Sequence, residues 1–177
     1  MCNYYDNLYI CEVKMKIFMK KQQINIVVEL CRYDELPPEY QLLIDAAKEQ
    51  TALSYAPYSK FQVGAAILLE NGALALGNNQ ENVAYPSGLC AERVAMFHAN
   101  AQNPAVAPKA LAIAAFTDGA FLAVPIAPCG ACRQVLLESE ERFGKNIEVL
   151  LCGEENIIRI NSCKDLLPLS FGREFLI

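Results

Sequence analysis

The chain has 177 residues, of which 54% are hydrophobic and 20% charged. This composition excludes a disordered protein, and the length predicts one globular domain with a substantial core. Its net charge of −5 argues against a surface built to bind nucleic acid, since such surfaces are usually basic. No apolar run approaches the roughly 18 residues of a membrane span, and lysines interrupt the N-terminal apolar runs that a secretory signal would need. We therefore expect a soluble protein of the reducing cytoplasm.

Apolar periodicity and turn signals predict an α/β domain over residues 24–177, preceded by a poorly ordered extension over residues 1–23. Alternating apolar residues predict a half-buried strand over residues 24–30, and Asn71-Gly72 marks a tight hairpin. The order of the elements predicts a mixed sheet covered on both faces by helices. The predicted helices are residues 39–53, 89–101 and 129–143, and the other predicted strands are residues 61–69, 73–77, 110–116, 147–152 and 157–160.

Two short stretches, Cys90-Ala91-Glu92 and Pro128-Cys129-Gly130-Ala131-Cys132, contain the residues best suited to chemistry. Cys129 and Cys132 are three residues apart, so at a helix start they share a face, and Cys90 would join them from a second helix start. Three thiolates leave the fourth position of a tetrahedral zinc site open for water, which is typical of a catalytic zinc. Glu92 is close enough in sequence to reach that water without binding the metal.

Other interpretations of these residues remain open at this point. A Cys-x-x-Cys pair also occurs in redox sites and in zinc knuckles. A four-thiolate structural zinc is possible because Cys31, Cys152 and Cys163 are spare. For function, the alternatives are deamination of a related compound, such as an aminonucleoside antibiotic, a nucleotide or a base in nucleic acid, and a zinc-stabilised structural or RNA-binding module without catalysis.

From about residue 38 to residue 171 the chain resembles the small, homotetrameric cytidine deaminases. The two cysteine motifs alone are shared by the wider zinc deaminase superfamily. The resemblance becomes specific through the combination of six segments, namely Phe61-Gln62-Val63-Gly64-Ala65-Ala66, Asn79-Gln80-Glu81-Asn82, Tyr85-Pro86, Cys90-Ala91-Glu92-Arg93, Pro128-Cys129-Gly130-Ala131-Cys132-Arg133-Gln134 and Leu166-Leu167-Pro168-Leu169-Ser170-Phe171.

The resemblance implies a three-layer α/β/α sandwich with a five-stranded mixed sheet, to which residues 24–30 would add an extra N-terminal strand. It implies hydrolytic, zinc-dependent deamination of cytidine and deoxycytidine to uridine and deoxyuridine, with release of ammonia, in pyrimidine salvage. One zinc ion per chain, a small nucleoside as substrate and a homotetramer with shared active sites are expected. Neither nucleic acid nor a membrane is expected as a partner.

By the same resemblance, Cys90, Cys129 and Cys132 would bind zinc, and Glu92 would move protons during the reaction. Arg93 would draw charge from the ligand sulfurs, because three thiolates overcompensate the charge of zinc. An amide and a carboxylate two residues apart can together bond a sugar hydroxyl. The implied substrate contacts are Phe61 packing on the pyrimidine, Asn79 and Glu81 bonding the sugar hydroxyls, Ala91 offering its backbone N–H to the base, and Phe171 reaching the site of a neighbouring subunit.

Overall fold

The computed structural model describes residues 20–176, and its centre is a sheet built on two long apolar strands. These strands, β2 (Gln62–Leu69) and β4 (Pro108–Thr117), are buried over most of their length because helices cover both faces of the sheet. Five shorter strands complete the sheet, namely β1 (Glu29–Arg32), β3 (Leu74–Asn78), β5 (Ala120–Phe121), β6 (Glu148–Cys152) and β7 (Asn156–Ile160).

The strand order is β1-β7-β6-β4-β2-β3, with β5 paired to the end of β4. Strands β4 and β6 run parallel, and all other neighbouring strands are antiparallel. The parallel pair is joined by a helical crossover, as a parallel connection requires. The predicted five-stranded mixed sheet is therefore confirmed in strands β3, β2, β4, β6 and β7, and β1 and β5 extend it.

Three helices form the outer layers, namely α1 (Pro38–Thr51), α2 (Ala91–Gln102) and α3 (Gly130–Phe143). Helix α1 packs on one face of the sheet through buried residues that include Leu43 and Ile44. Helices α2 and α3 pack on the other face through residues that include Met96 and Leu136. This arrangement confirms the predicted three-layer α/β/α sandwich. No helix in residues 20–176 combines the length and apolar character needed to cross a bilayer.

The extra N-terminal strand exists, but its predicted bounds and burial are wrong. Residues 20–28 have no regular structure, and pairing begins only at Glu29, where β1 adds to the edge of the sheet beside β7. The apolar side chains of Ile24 and Val28 are 47% and 56% exposed. Alternation along the sequence could not reveal that no other part of residues 20–176 covers the face that it defines. Most of the extension predicted at residues 1–23 lies outside the described residues.

Candidate active site and metal centre

Helix α2 begins directly after Cys90, which takes the extended N-cap conformation with φ −72° and ψ 151°. Close contact with β3 fixes this helix start. A Cβ atom built on Gly77 would lie 2.6 Å from the carbonyl oxygen of Ala91 and 2.3 Å from the backbone nitrogen of Ala95. The missing side chain at Gly77 thus lets the first turn of α2 lie against the sheet, which sets the position of Cys90.

Helix α3 supplies the other two thiols in the same way. Cys129 is its N-cap, and Cys132 lies one turn into the helix, where it is fully buried. The Sγ atom of Cys129 is 3.8 Å from that of Cys90 and 3.5 Å from that of Cys132. All three sulfur atoms lie within 4.8 Å of one another. The predicted trio therefore meets at one point between two helix N-termini, whose partial positive charge favours thiolates.

The thiols of the trio differ in acidity because they bond one another. A hydrogen bond from the Cys132 thiol, together with those from Arg93 and Cys129, lowers the pKa of Cys90 to about 5 against the opposing effect of burial. Donation to Cys90 and its own burial raise the pKa of Cys132. The cluster therefore holds a thiolate at neutral pH, as a metal ligand must. Three converging sulfur donors fit zinc, a metal that thiolates bind well.

A fourth protein thiolate does not join this cluster within residues 20–176. Cys31 lies on the edge strand β1, and Cys152 is buried in the core on the α1 face of the sheet. Cys163 is buried and donates its thiol to the carbonyl oxygen of Ile147 at 3.7 Å. The donor set therefore matches the open, catalytic arrangement better than the four-thiolate structural site.

Glu92 follows Cys90 by two residues and is 5% exposed, yet it lines a pocket that opens beside the trio. Burial raises the pKa of its carboxyl, and the negative charge of Cys90 raises it further. A carboxyl whose pKa lies closer to neutrality can both accept and return a proton during a reaction. The position beside the sulfurs and the acidity of Glu92 both suit general acid–base chemistry.

The pocket has a volume of about 790 Å³, and its walls come from the ends of β2 and β3, the loops around Tyr58 and Tyr85, and the start of α2. This volume is in the range of small-molecule sites. Of the predicted site residues, Phe61, Asn79, Glu81, Ala91 and Arg93 also line it. The loop with Asn79 and Glu81 is held on two sides, since Tyr55 and Leu89 both form backbone bridges to Gln80.

The side chains of Asn79 and Glu81 are oriented by backbone groups. Asn79 accepts from the N–H of Val63 at 2.8 Å and donates to the carbonyl of Phe61 at 2.9 Å. Glu81 accepts through Oε2 from the N–H groups of Tyr58 at 2.9 Å and Ser59 at 3.3 Å. Hydrogen bonds from Ser59 and Tyr58 lower the pKa of Glu81, so it stays ionised. Each side chain keeps hydrogen-bonding capacity for a ligand.

Phe171 does not line the pocket of its own chain. Its ring is stacked on that of Phe175 with centroids 5.8 Å apart, and the residue is 60% exposed. The Gln134 side chain donates to the Phe171 carbonyl at 2.9 Å, which fixes the backbone of this segment against α3. The predicted contact of Phe171 with the site of a neighbouring subunit stays a prediction.

The site predicted from the sequence does not include Tyr58, Ser59 or Arg133, although all three shape it. Tyr58 and Ser59 hold Glu81 through backbone N–H groups, which every residue type except proline supplies, so no side-chain pattern could identify them. Arg133 follows the last cysteine of the second motif and bonds the backbone of Pro128. The position of Arg133 directly after the predicted ligand Cys132 was the one feature of the sequence that could have pointed to a role at the site.

Three clustered thiols at two helix starts, a buried carboxylate beside them and a pocket in the size range of small-molecule sites define a zinc-dependent hydrolase of the deaminase class. Comparison with known proteins makes the assignment specific. The family model for the "Cytidine and deoxycytidylate deaminase zinc-binding region" matches residues 38–144. The chain belongs to this family of zinc-binding deaminases.

Individual relatives agree with the family match. A cytidine deaminase of Sporosarcina psychrophila is 40% identical over 138 residues, which make up 78% of this chain and 95% of that protein. The crystal structure of cytidine deaminase from Burkholderia pseudomallei is 41% identical with a TM-score of 0.64 over 75% of this chain and 98% of that one. For cytidine deaminase from Mycobacterium tuberculosis the identity is 32% and the TM-score 0.59, over 75% of this chain and 97% of that one.

Proposed function

We propose that this protein catalyses the hydrolytic deamination of cytidine and deoxycytidine to uridine and deoxyuridine, with release of ammonia, in pyrimidine salvage. The observation that carries the proposal is the convergence of three cysteine sulfurs and the buried Glu92 at one end of a pocket that also contains Asn79 and Glu81. This arrangement places chemistry that can remove an amino group beside groups that can bind a sugar.

The proposed substrate orientation follows from the chemistry of the pocket lining. The sugar hydroxyls bond the free hydrogen-bonding positions of Asn79 and Glu81, and the pyrimidine packs on Phe61. Ala91 is the first residue of α2, so its N–H has no partner within the helix and can donate to the base. In this orientation the 4-amino group of the base points towards Glu92 and the trio.

Cys90, Cys129 and Cys132 would hold one zinc ion, which when bound supplies a Lewis acid that activates a water molecule. Glu92 accepts a proton from the attacking water and donates it to N3 of the pyrimidine, so that C4 becomes electrophilic. A new C–O bond forms at C4. Glu92 then takes the proton of the new C4 hydroxyl and passes it to the amino group, so that the C–N bond breaks, ammonia leaves and the C4 carbonyl of uridine forms. Water and cytidine are consumed, and uridine and ammonia are produced.

The charges of the pocket favour a nucleoside over a nucleotide or a nucleic acid. Among the described residues that line it, Glu81 and Glu92 are acidic, and Arg93 is the one arginine or lysine. Arg93 points a guanidinium nitrogen at the sulfur of Cys90, 3.8 Å away. A 5′-phosphate would therefore lack a cationic partner, and phosphate contacts dominate the affinity of nucleic-acid binders.

We also propose that the enzyme works as a homotetramer in the cytoplasm, without nucleic-acid or membrane partners. The exposed ring of Phe171 supports sharing of active sites, since a side chain outside its own pocket can complete the pocket of a neighbour. The proposal for the tetramer rests on the resemblance. Light scattering on the active enzyme tests it, and an active monomer would contradict it.

The experiment that tests the proposed function measures two quantities on one purified sample, namely loss of cytidine by ultraviolet absorbance and zinc content. We expect turnover of cytidine and deoxycytidine with one zinc per chain, and little turnover of the 5′-monophosphate or of single-stranded nucleic acid. Cys129→Ser should lose zinc and activity together, whereas the matched control Cys31→Ser, at a half-buried cysteine outside the trio, should keep both. Stoichiometric zinc without turnover of any of these substrates would favour the structural zinc module.

A further inference from the structure

Arg133 binds two separate parts of the backbone beside the metal trio. It lies in the first turn of α3, directly after the ligand Cys132. Its Nε donates to the carbonyl oxygen of Pro128 at 2.8 Å, and its Nη1 donates to the carbonyl oxygen of Leu166 at 2.9 Å. One side chain thus connects the turn before Cys129 to the C-terminal part of the chain.

The Pro128 carbonyl needs such a donor because of its position. Pro128 precedes the N-cap Cys129, so its carbonyl lies outside the hydrogen-bond ladder of α3, whereas the Cys129 carbonyl already accepts from the Arg133 backbone at 3.0 Å. Pro128 is buried, and a buried carbonyl without a donor is costly. The planar guanidinium holds its N–H groups in a fixed fork, so bonds to two carbonyls restrict the turn more than one flexible ammonium could.

The far end of this link is also anchored. Leu166 ends a single 3-10 turn, Cys163–Leu166, which lies against α3. Glu140, seven residues beyond Arg133 on the same helix, accepts from the backbone N–H of Cys163 at 2.7 Å and from the Ser162 hydroxyl. Glu140 is buried, at 7% exposed. Helix α3 therefore holds the 3-10 turn at two points. Arg133 thus connects the turn of Cys129 and Cys132 to a segment that is itself held in place.

We propose that Arg133 is a positioning residue that holds the turn of Cys129 and Cys132 in the geometry of the metal site, by bonding the carbonyls of Pro128 and Leu166 together. Its hydrogen bonds go to carbonyl oxygens, whereas Arg93 reaches the sulfur of Cys90. The two arginines thus have different roles: Arg93 affects the charge of the ligands, and Arg133 affects their placement. The proposal rests on the zinc site of the proposed function.

The test is the rate at which zinc passes to a coloured chelator, in the absence of cytidine, at a temperature far below unfolding. Arg133→Met removes both bonds, and Arg133→Lys keeps the charge but not the fork. Loss of a residue that orients metal ligands typically costs about 10–100-fold in metal affinity or activity. We expect both variants to release zinc faster by about that factor, with a larger effect on kcat than on KM.

Arg142→Met is the matched control, because Arg142 lies at the other end of α3 and bonds a single distant carbonyl, that of Pro104, at 2.8 Å. It should release zinc at the wild-type rate. If Arg133→Met does not fold, Arg133→Lys carries the test. Wild-type release from Arg133→Lys, or equal acceleration in Arg142→Met, would overturn the proposal. Because zinc release needs no substrate, this result is independent of whether cytidine is the substrate.

Discussion

The guanidinium of Arg93 lies 3.8 Å, measured from Nη2, from the sulfur of Cys90, one helical turn back on α2. The contact with the Cys90 thiolate raises the pKa of Arg93 further, so the arginine is charged at any working pH. A fixed cation beside one of three thiolates draws negative charge from the metal site. This contact is the physical basis for a role of Arg93 in tuning charge.

Arg93→Gln should therefore lower turnover at neutral pH and partly restore it at higher pH. Without the cation the sulfurs donate more charge, so the water that zinc activates becomes less acidic. The acidic limb of the pH–rate profile should move to higher pH, because the water must lose a proton before it attacks. The measurement is kcat against pH for both proteins at equal zinc content. Arg142→Gln, at an arginine distant from the trio, is the control, and a profile for Arg93→Gln that matches the wild type would contradict this role.

Gly77→Ala should displace the first turn of α2 and so weaken the binding of metal. Its new Cβ would lie 2.3 Å from the Ala95 nitrogen and 2.6 Å from the Ala91 oxygen, and both are backbone atoms that cannot move aside alone. The first turn of α2 must shift, at a cost of about 1–3 kcal/mol in stability. Because Cys90 is the N-cap of that turn, we expect both a lower midpoint of thermal unfolding and faster release of zinc to a chelator.

Gly64→Ala is the matched control for this prediction. Gly64 is equally crowded, since its Cβ would lie 2.1 Å from the carbonyl oxygen of Ala47, but that oxygen belongs to α1 on the opposite face of the sheet. Helix α1 contains none of the predicted site residues. Gly64→Ala should lower thermal stability to a similar extent while zinc release stays near the wild-type rate. Equal acceleration of zinc release in the two variants would show that general destabilisation explains the effect.

The sequence predicts a structural feature well where the interactions that determine this feature are local. The spacing of Cys129 and Cys132 sets their places on one helix, so their meeting with Cys90 was predictable once both helix starts were identified. The edge strand was misplaced because alternation from Ile24 onwards defines an apolar face without saying whether anything covers it. The two bonds of Arg133 join residues 5 and 33 positions away, and no local pattern specifies such bonds.

A chain that begins at Met15 should keep full activity, because we propose that residues 1–23 are an extension that the catalytic domain does not need. The family match begins only at residue 38. A chain that begins at Tyr33 also lacks β1, which pairs with β7 and places Glu29 3.3 Å from Arg159. If the loss of this pairing lowers the free energy of unfolding by about 1 kcal/mol, the midpoint of thermal unfolding should fall by about 2–4 °C. Cytidine turnover and thermal unfolding of both chains check this, and a large loss of activity in the Met15 chain would show that the extension is needed.

Glu92→Gln separates an enzyme from a zinc-binding module most sharply. The glutamine keeps the shape of the buried side chain and can still form hydrogen bonds, but it cannot accept and return a proton. A positioned general acid–base contributes about 10²–10⁴-fold in rate, and Glu92 is proposed to handle several transfers. We expect a loss of at least about 10⁴-fold in kcat. Zinc content should stay near one per chain, because Glu92 lies outside the cluster of sulfur ligands.

The measurements are cytidine deamination, bound zinc and cytidine affinity on the purified variant. Affinity should survive, because Asn79 and Glu81 are unchanged. Glu138→Gln, at an exposed glutamate on α3, is the control for loss of a negative charge and should behave as the wild type. Near-normal turnover in Glu92→Gln would remove Glu92 from the mechanism. Loss of zinc together with activity would mean that Glu92 supports the metal site. The proposed division of roles, with Glu92 moving protons and Cys90, Cys129 and Cys132 binding zinc, would then be wrong.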